Sequence, residues 1–225
     1  MNHKAMMRIV TDAAMCVLLL LLMAFERIGR SAHEWIGLAL FVLFILHHVF
    51  NRRWSRALFS GKHTAYRILQ SVCAALVLIA MLGLMLSAVP ISREVFALLP
   101  ISGGLALGRS VHMLSAYWGF LFMGLHLGVH WQTVTKLIFR RFSHPSRRRK
   151  ILLWTLGTLF ALWGVYALFS RDLPDYLFLK TPFVFFDDEE PLIFFFRDYL
   201  AIMAAMLWIG SLLAMGARRI DRAGR

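Results

Sequence analysis

Four histidines share a repeated spacing. His33 and His47 stand fourteen positions apart in one apolar run, and His112 and His126 stand fourteen apart in another. An α-helix turns about 100° and rises about 1.5 Å per residue. Fourteen steps therefore return the side chain to within about 40° of the same face, about 21 Å further along the axis. Two such helices, parallel and side by side, present two facing imidazole pairs at two depths. A facing imidazole pair can supply both axial ligands of a six-coordinate haem iron. The spacing predicts two non-covalent haem b groups, an outer one on His33 and His112 and an inner one on His47 and His126. Zinc suits the pattern less well, because its ligands must converge within a few ångströms. His126 and His130 are four residues apart and could share one metal, but no Asp or Glu stands near them in sequence.

The other histidines leave alternatives open. His48 lies about 100° around the helix from His47 and is the competing inner ligand. Aligning His33 with His112 places His47 on His126 and His48 on Leu127, which favours His47. His130 falls where the first copy has Asn51. It could bond a haem propionate, serve a quinol site, or bond a backbone carbonyl. His3, His63 and His144 lie among bases and read as solvated.

Haem propionates are carboxylates and bind Arg or Lys. Arg30 and Arg109 each precede an outer histidine by three residues, and Arg52 and Arg53 follow His47 closely. Each reads equally well as an interfacial charge. Gly37 and Gly119 lie near the ligand faces and could make room for a macrocycle, or simply allow close helix packing. No nucleophile or acid–base pair stands in the apolar runs beyond Asp12, which is expected to pair with Arg8. The chain has no evident substrate-converting site of its own.

These residues must be positioned by helices in a membrane. Of 225 residues, 60% are apolar, and the mean hydropathy is +0.67, outside the range of a soluble domain. A spanning helix needs about 20 mostly apolar residues. Six stretches meet this, at 7–29, 33–53, 65–89, 110–135, 150–170 and 196–217. The net charge of +13 is gathered in short connections and not interleaved with aromatics, so it marks topology and not nucleic-acid binding. Eighteen of the 25 Lys and Arg fall on one side of the alternating spans, which puts both termini in the cytoplasm. Cys16 and Cys73 sit inside apolar runs and read as small core residues. The first apolar run has no cleavage site after it and reads as a retained span.

The second and fourth spans carry the four ligands and run the same way, from outside to inside. Arg8-Ile9 opens the first span as Arg67-Ile68 opens the third, so the first hairpin recurs in the second. The expected fold is an all-α polytopic membrane protein with six spans. Residues 1–148 form a four-helix haem-binding bundle of two repeated hairpins, and 149–225 an added C-terminal hairpin. The segment 90–108 suggests an interfacial helix or a cap. The segment 172–197 reads as an aromatic belt with a solvated acidic tip at 187–190, or as a docking lip.

The run His33-Glu34-Trp35-Ile36-Gly37, followed by His47-His48 and Asn51-Arg52-Arg53-Trp54, resembles the flavinylation-associated cytochrome family. The second copy, with His112, Gly119, Gly124, His126, Gly128 and His130, resembles its second half. The likeness covers roughly residues 5–135, and paired histidines at this spacing also occur in ferric-reductase-like cytochromes and respiratory cytochrome b. It implies electron transfer across a bacterial cytoplasmic membrane, to an extracytoplasmic protein bearing flavin or another redox group. The donor would be cytoplasmic or a quinol. The competing expectation is a non-redox transporter or assembly subunit whose histidines bind a metal ion or protons.

Overall fold

The computed structural model describes residues 3–57, 64–99, 103–138, 146–187 and 189–224. Their regular elements are all helical: α1 (His3–Met23), α2 (Phe25–Ala57), α3 (Ala65–Ile91), α4 (Leu105–Ile138), α5 (Arg147–Ser170), α6 (Leu173–Leu177) and α7 (Leu192–Ala223). His63, His144 and Asp188, with Lys62, Arg140 and Arg141, lie outside the described residues.

Five helices, α1, α2, α3, α5 and α7, are long and apolar enough to cross a membrane. Their outward faces carry residues such as Val17, Ile45, Ile79, Leu86, Leu159 and Leu162. Such a surface suits lipid, and the chain is a multi-pass helical membrane protein. The helix α4 has the length, at 34 residues, but falls outside that apolar class. His112, Trp118, His126, His130 and Trp131 interrupt it. The helices mostly outrun the expected spans, because a helix continues past the apolar zone into polar interface. The exception is α1, which ends at Met23 rather than near residue 29. There the chain turns at the fully buried Ala24. A second break follows at Gly29, whose φ of 78° and ψ of 164° suit only glycine. The long unbroken part of α2 therefore begins just before His33.

Packing is centred on α4, which lies against α3 on one side and α7 on another, while α5 backs α7. The α4–α7 crossing is close because it is built from glycines. A Cβ on Gly128 would sit 2.1 Å from the Leu207 carbonyl oxygen, and one on Gly210 2.3 Å from that of Leu125. Small residues allow helix backbones this approach. One apolar core joins Met15, Leu40, Leu84, Phe120, Ala167 and Ile202, so residues beyond 149 are part of the same core as the histidine-bearing helices. By contrast, the close backbone packing of α2 is against α1, and its backbone approach to α4 is sparse, although Leu40 and Phe44 reach the shared core. A seam is left between the two helices that carry His33, His47, His112 and His126.

Residues 92–99, after α3, form turns and not a helix, and they are bonded to the start of α2 beside His33. The Glu34 carboxylate accepts hydrogen bonds from Ser92 Oγ and from the backbone N–H groups of Arg93, Glu94 and Val95, at 2.6–3.1 Å. Ser31 Oγ adds a bond to Glu94 at 2.8 Å. One carboxylate beside His33 thus satisfies several otherwise orphaned donors and ties α2 to the end of α3.

Candidate functional site

The histidines line the α2–α4 seam. His33 and His112 meet at one end, their ring centroids 6.0 Å apart at an interplanar angle of 62°. Trp54 and His130 meet at the other, 6.5 Å apart. The two helices therefore run parallel, and His33 lies level with His112.

At the His33–His112 end, the outer one in the sequence reading, Ser87 Oγ on α3 donates to the Leu84 carbonyl at 3.1 Å and lies 3.1 Å from His112 Nδ1. A hydroxyl has a single proton to give. With that proton on Leu84, the Ser87 lone pair accepts from His112 Nδ1–H, and His112 Nε2 keeps a free lone pair. His33 Nδ1 is buried without a hydrogen-bond partner, its ring edge-on to Phe25 at 5.0 Å.

The inner end follows the same plan. His47 Nδ1 lies 2.7 Å from Asp12 Oδ1 on α1. A carboxylate only accepts, so Nδ1 carries the proton and Nε2 the lone pair. His126 Nδ1, like that of His33, is buried without a partner. His126 lies within electrostatic reach of His47, His48, His130 and Asp12, and its ring is 4.8 Å from that of His130. Among the described residues no ring contact joins His47 to His126, so the inner pair is more open than the outer one. Each level thus has one imidazole held at Nδ1 by a side chain of another helix and one whose Nδ1 has no such partner, the His33 ring having the Leu22 backbone within reach. A buried polar group without a partner costs about 1–3 kcal/mol and is the kind of group that a bound metal or cofactor engages.

Other expected site residues fall as follows. His48 is exposed, its Nδ1 bonded to the Phe44 carbonyl of its own helix at 3.0 Å. His130 Nδ1 lies 3.5 Å from Gln70 Nε2, and Asn51 bonds the His47 carbonyl at 3.0 Å. Arg30, Arg52 and Arg109 are exposed at the ends of the seam helices. Gly37 would meet nothing within 4 Å if given a Cβ, whereas Gly119 would press on Ala80 of α3 at 3.2 Å. Gly37 borders open space, and Gly119 serves helix packing. The expected Asp12–Arg8 pair is not formed: Asp12 is on His47, and Arg8 bonds the Phe50 carbonyl at 2.7 Å. Asp12 is the one carboxylate within α1, a signal legible in the sequence. Ser87 gave no signal, being one small polar residue 25 positions from its partner.

His33 and His112 are spaced so that they would hold one iron between them. A metal–imidazole bond is about 2 Å. Two of them, with roughly an ångström from each nitrogen to its ring centre, give about 6 Å between centroids, matching the 6.0 Å observed. Among the described residues no cluster of three or more His, Cys, Asp or Glu could hold a metal ion. A bis-imidazole iron asks for two protein ligands, the rest coming from the macrocycle.

Comparison of the chain with protein-family models, curated proteins and solved structures finds no match.

At the end of α5, Arg171 donates to both carboxylate oxygens of Glu190 and to Asp198 at 2.7 Å. Glu190 first, then Asp198, pushes the Arg171 guanidinium above its ordinary value. Arg27 on α2 donates to the Asp187 and Glu190 carbonyls. Phe186, Phe195 and Phe196 pack into or against the core while Phe183 and Phe185 stay exposed. Glu190 is therefore paired rather than solvated, unlike the acidic tip expected from the sequence.

Proposed function

We propose that this chain is a di-haem b-type cytochrome that carries electrons across a membrane. Its donor is cytoplasmic or a quinol, and its acceptor is an extracytoplasmic protein bearing flavin or another redox group, as the likeness to the flavinylation-associated cytochromes implies. In this reading α4 is a sixth span, both termini are cytoplasmic and the membrane is the bacterial cytoplasmic one. The observation that carries the reading is the His33–His112 ring pair, 6.0 Å apart across a seam where the helix backbones do not pack closely.

Haem, when bound, supplies reversible one-electron chemistry. His33 and His112 would hold the outer group and His47 and His126 the inner one. Ser87 and Asp12 fix the tautomers of His112 and His47 so that Nε2 is the free nitrogen. Arg30 and Arg109 would pair with outer propionates, and Arg52 with inner ones.

Purified protein is expected to show a reduced-minus-oxidised b-type spectrum and two haems per chain. A folded, colourless protein would overturn the reading in favour of a non-redox transporter or assembly subunit. Topology supplies a separate check. Reporters fused after Arg149 and after Glu190 are expected on opposite sides of the membrane, with the first cytoplasmic. The same side for both would rule out six alternating spans.

A further inference from the structure

We infer that Asp12 sets the direction of electron flow, by holding the inner site at a lower potential than the outer one. This rests on the di-haem reading above. The two levels differ in what their fixed imidazole leans on. His112 Nδ1 meets a neutral hydroxyl, Ser87, at 3.1 Å. His47 Nδ1 meets a carboxylate, Asp12, at 2.7 Å. A carboxylate behind a ligating histidine raises the basicity of the ring. A more strongly donating ligand, with a negative charge close behind it, stabilises the oxidised iron over the reduced one and lowers the potential.

The difference is written into the repeat. Aligning Arg8 with Arg67 places Asp12 on Ser71, whose hydroxyl bonds the Arg67 carbonyl of its own helix at 2.9 Å. The second hairpin therefore has no carboxylate where the first has Asp12. Position supports the same role. The two nitrogens of an imidazole point nearly opposite ways, so a ring held at Nδ1 from α1 presents Nε2 away from α1. His126 on α4 lies within electrostatic reach of both His47 and Asp12. The neighbouring His48 is turned to its own backbone and exposed, so Asp12 is a positioning residue that also picks His47 from the adjacent pair.

A lower inner potential makes transfer outward the downhill direction. One electron given up at the inner site is taken up at the outer site, with no bond made or broken. This agrees with delivery to an extracytoplasmic acceptor.

The test is a redox titration of the purified, haem-loaded protein and of Asp12→Asn and Asp12→Glu, with haem content measured for each. The wild type is expected to show two waves, the lower being the one absent from His126→Ala. Asp12→Asn keeps the shape and removes the charge. It is expected to raise the lower wave by at least a tenfold change in the reduction equilibrium, about 59 mV for one electron, with the upper wave unmoved. Asp12→Glu restores the charge and is expected to return the lower wave towards its wild-type place. Two unmoved waves in Asp12→Asn would overturn the inference while leaving the di-haem reading intact. If Asp12→Asn retains one haem, the missing wave decides: loss of the lower supports the inference and loss of the upper overturns it. A wild-type chain with no haem sinks the underlying reading instead.

Discussion

On the di-haem proposal, His112→Ala and His33→Ala are each expected to bind one haem per chain where the wild type is expected to bind two. His33 and His112 are in ring contact at 6.0 Å, and loss of either would leave the proposed site with half its protein ligands. His47→Leu and His126→Ala are expected to lose the other haem, so the two sets of variants should leave complementary spectra. His48→Leu is expected to retain both. His48 is exposed and bonded to the Phe44 carbonyl, whereas His47 is held by Asp12. Haem content per chain and the low-temperature α-band of each variant measure this. If His48→Leu empties the inner site and His47→Leu does not, the register of the repeat is off by one residue. If His33→Ala and His47→Leu lose the same haem, the pairing by depth is wrong.

The parallel setting of α2 and α4 was legible because it follows from two simple rules. Apolar run length gives the helices, and alternation of basic connections gives their sense. The level match of His33 with His112 then comes from equal spacing in two copies of one hairpin. Residues that act through another helix were less legible. Ser87 reaches His112, and Glu34 reaches Ser92 and the backbone after it. No local period marks such contacts, since they depend on how hairpins meet and not on which face a residue occupies. Asp12 is intermediate. A lone carboxylate in an apolar run demands a partner, and sequence offered the nearer cation, Arg8. The fold offered His47 instead, because α1 and α2 lie antiparallel and bring positions 12 and 47 together. The close α4–α7 crossing was half visible. Gly124 and Gly128 have the spacing of a helix-packing stripe, but nothing in their spacing names α7 as the partner.

Arg171→Met is expected to destabilise the α5–α6 end of the bundle by about 1–3 kcal/mol, less than removing one partner from a fully buried ion pair because these side chains are only part-buried. Arg171 sits among two carboxylates, with Glu190 accepting from both terminal nitrogens and Asp198 from Nε and Nη2. The side chains of Arg171, Glu190 and Asp198 are 21%, 20% and 8% exposed, so solvent screens the interaction only in part. Asp198 would keep Arg197 and Trp163, at 2.9 and 3.2 Å. Glu190 would keep backbone bonds to Arg27 and Asp187, and its carboxylate would lose its salt bridge to Arg171. The loss should therefore come chiefly from Glu190, and adding Glu190→Gln to Arg171→Met should restore part of the stability. Thermal unfolding in detergent, followed by loss of helical circular dichroism, measures both effects. Limited proteolysis locates them: cleavage within 178–187 should speed up in Arg171→Met and slow again in the double variant. An unchanged melting temperature in Arg171→Met would show that the pair contributes nothing net. A double variant less stable than Arg171→Met would show that Glu190 is held by something other than Arg171.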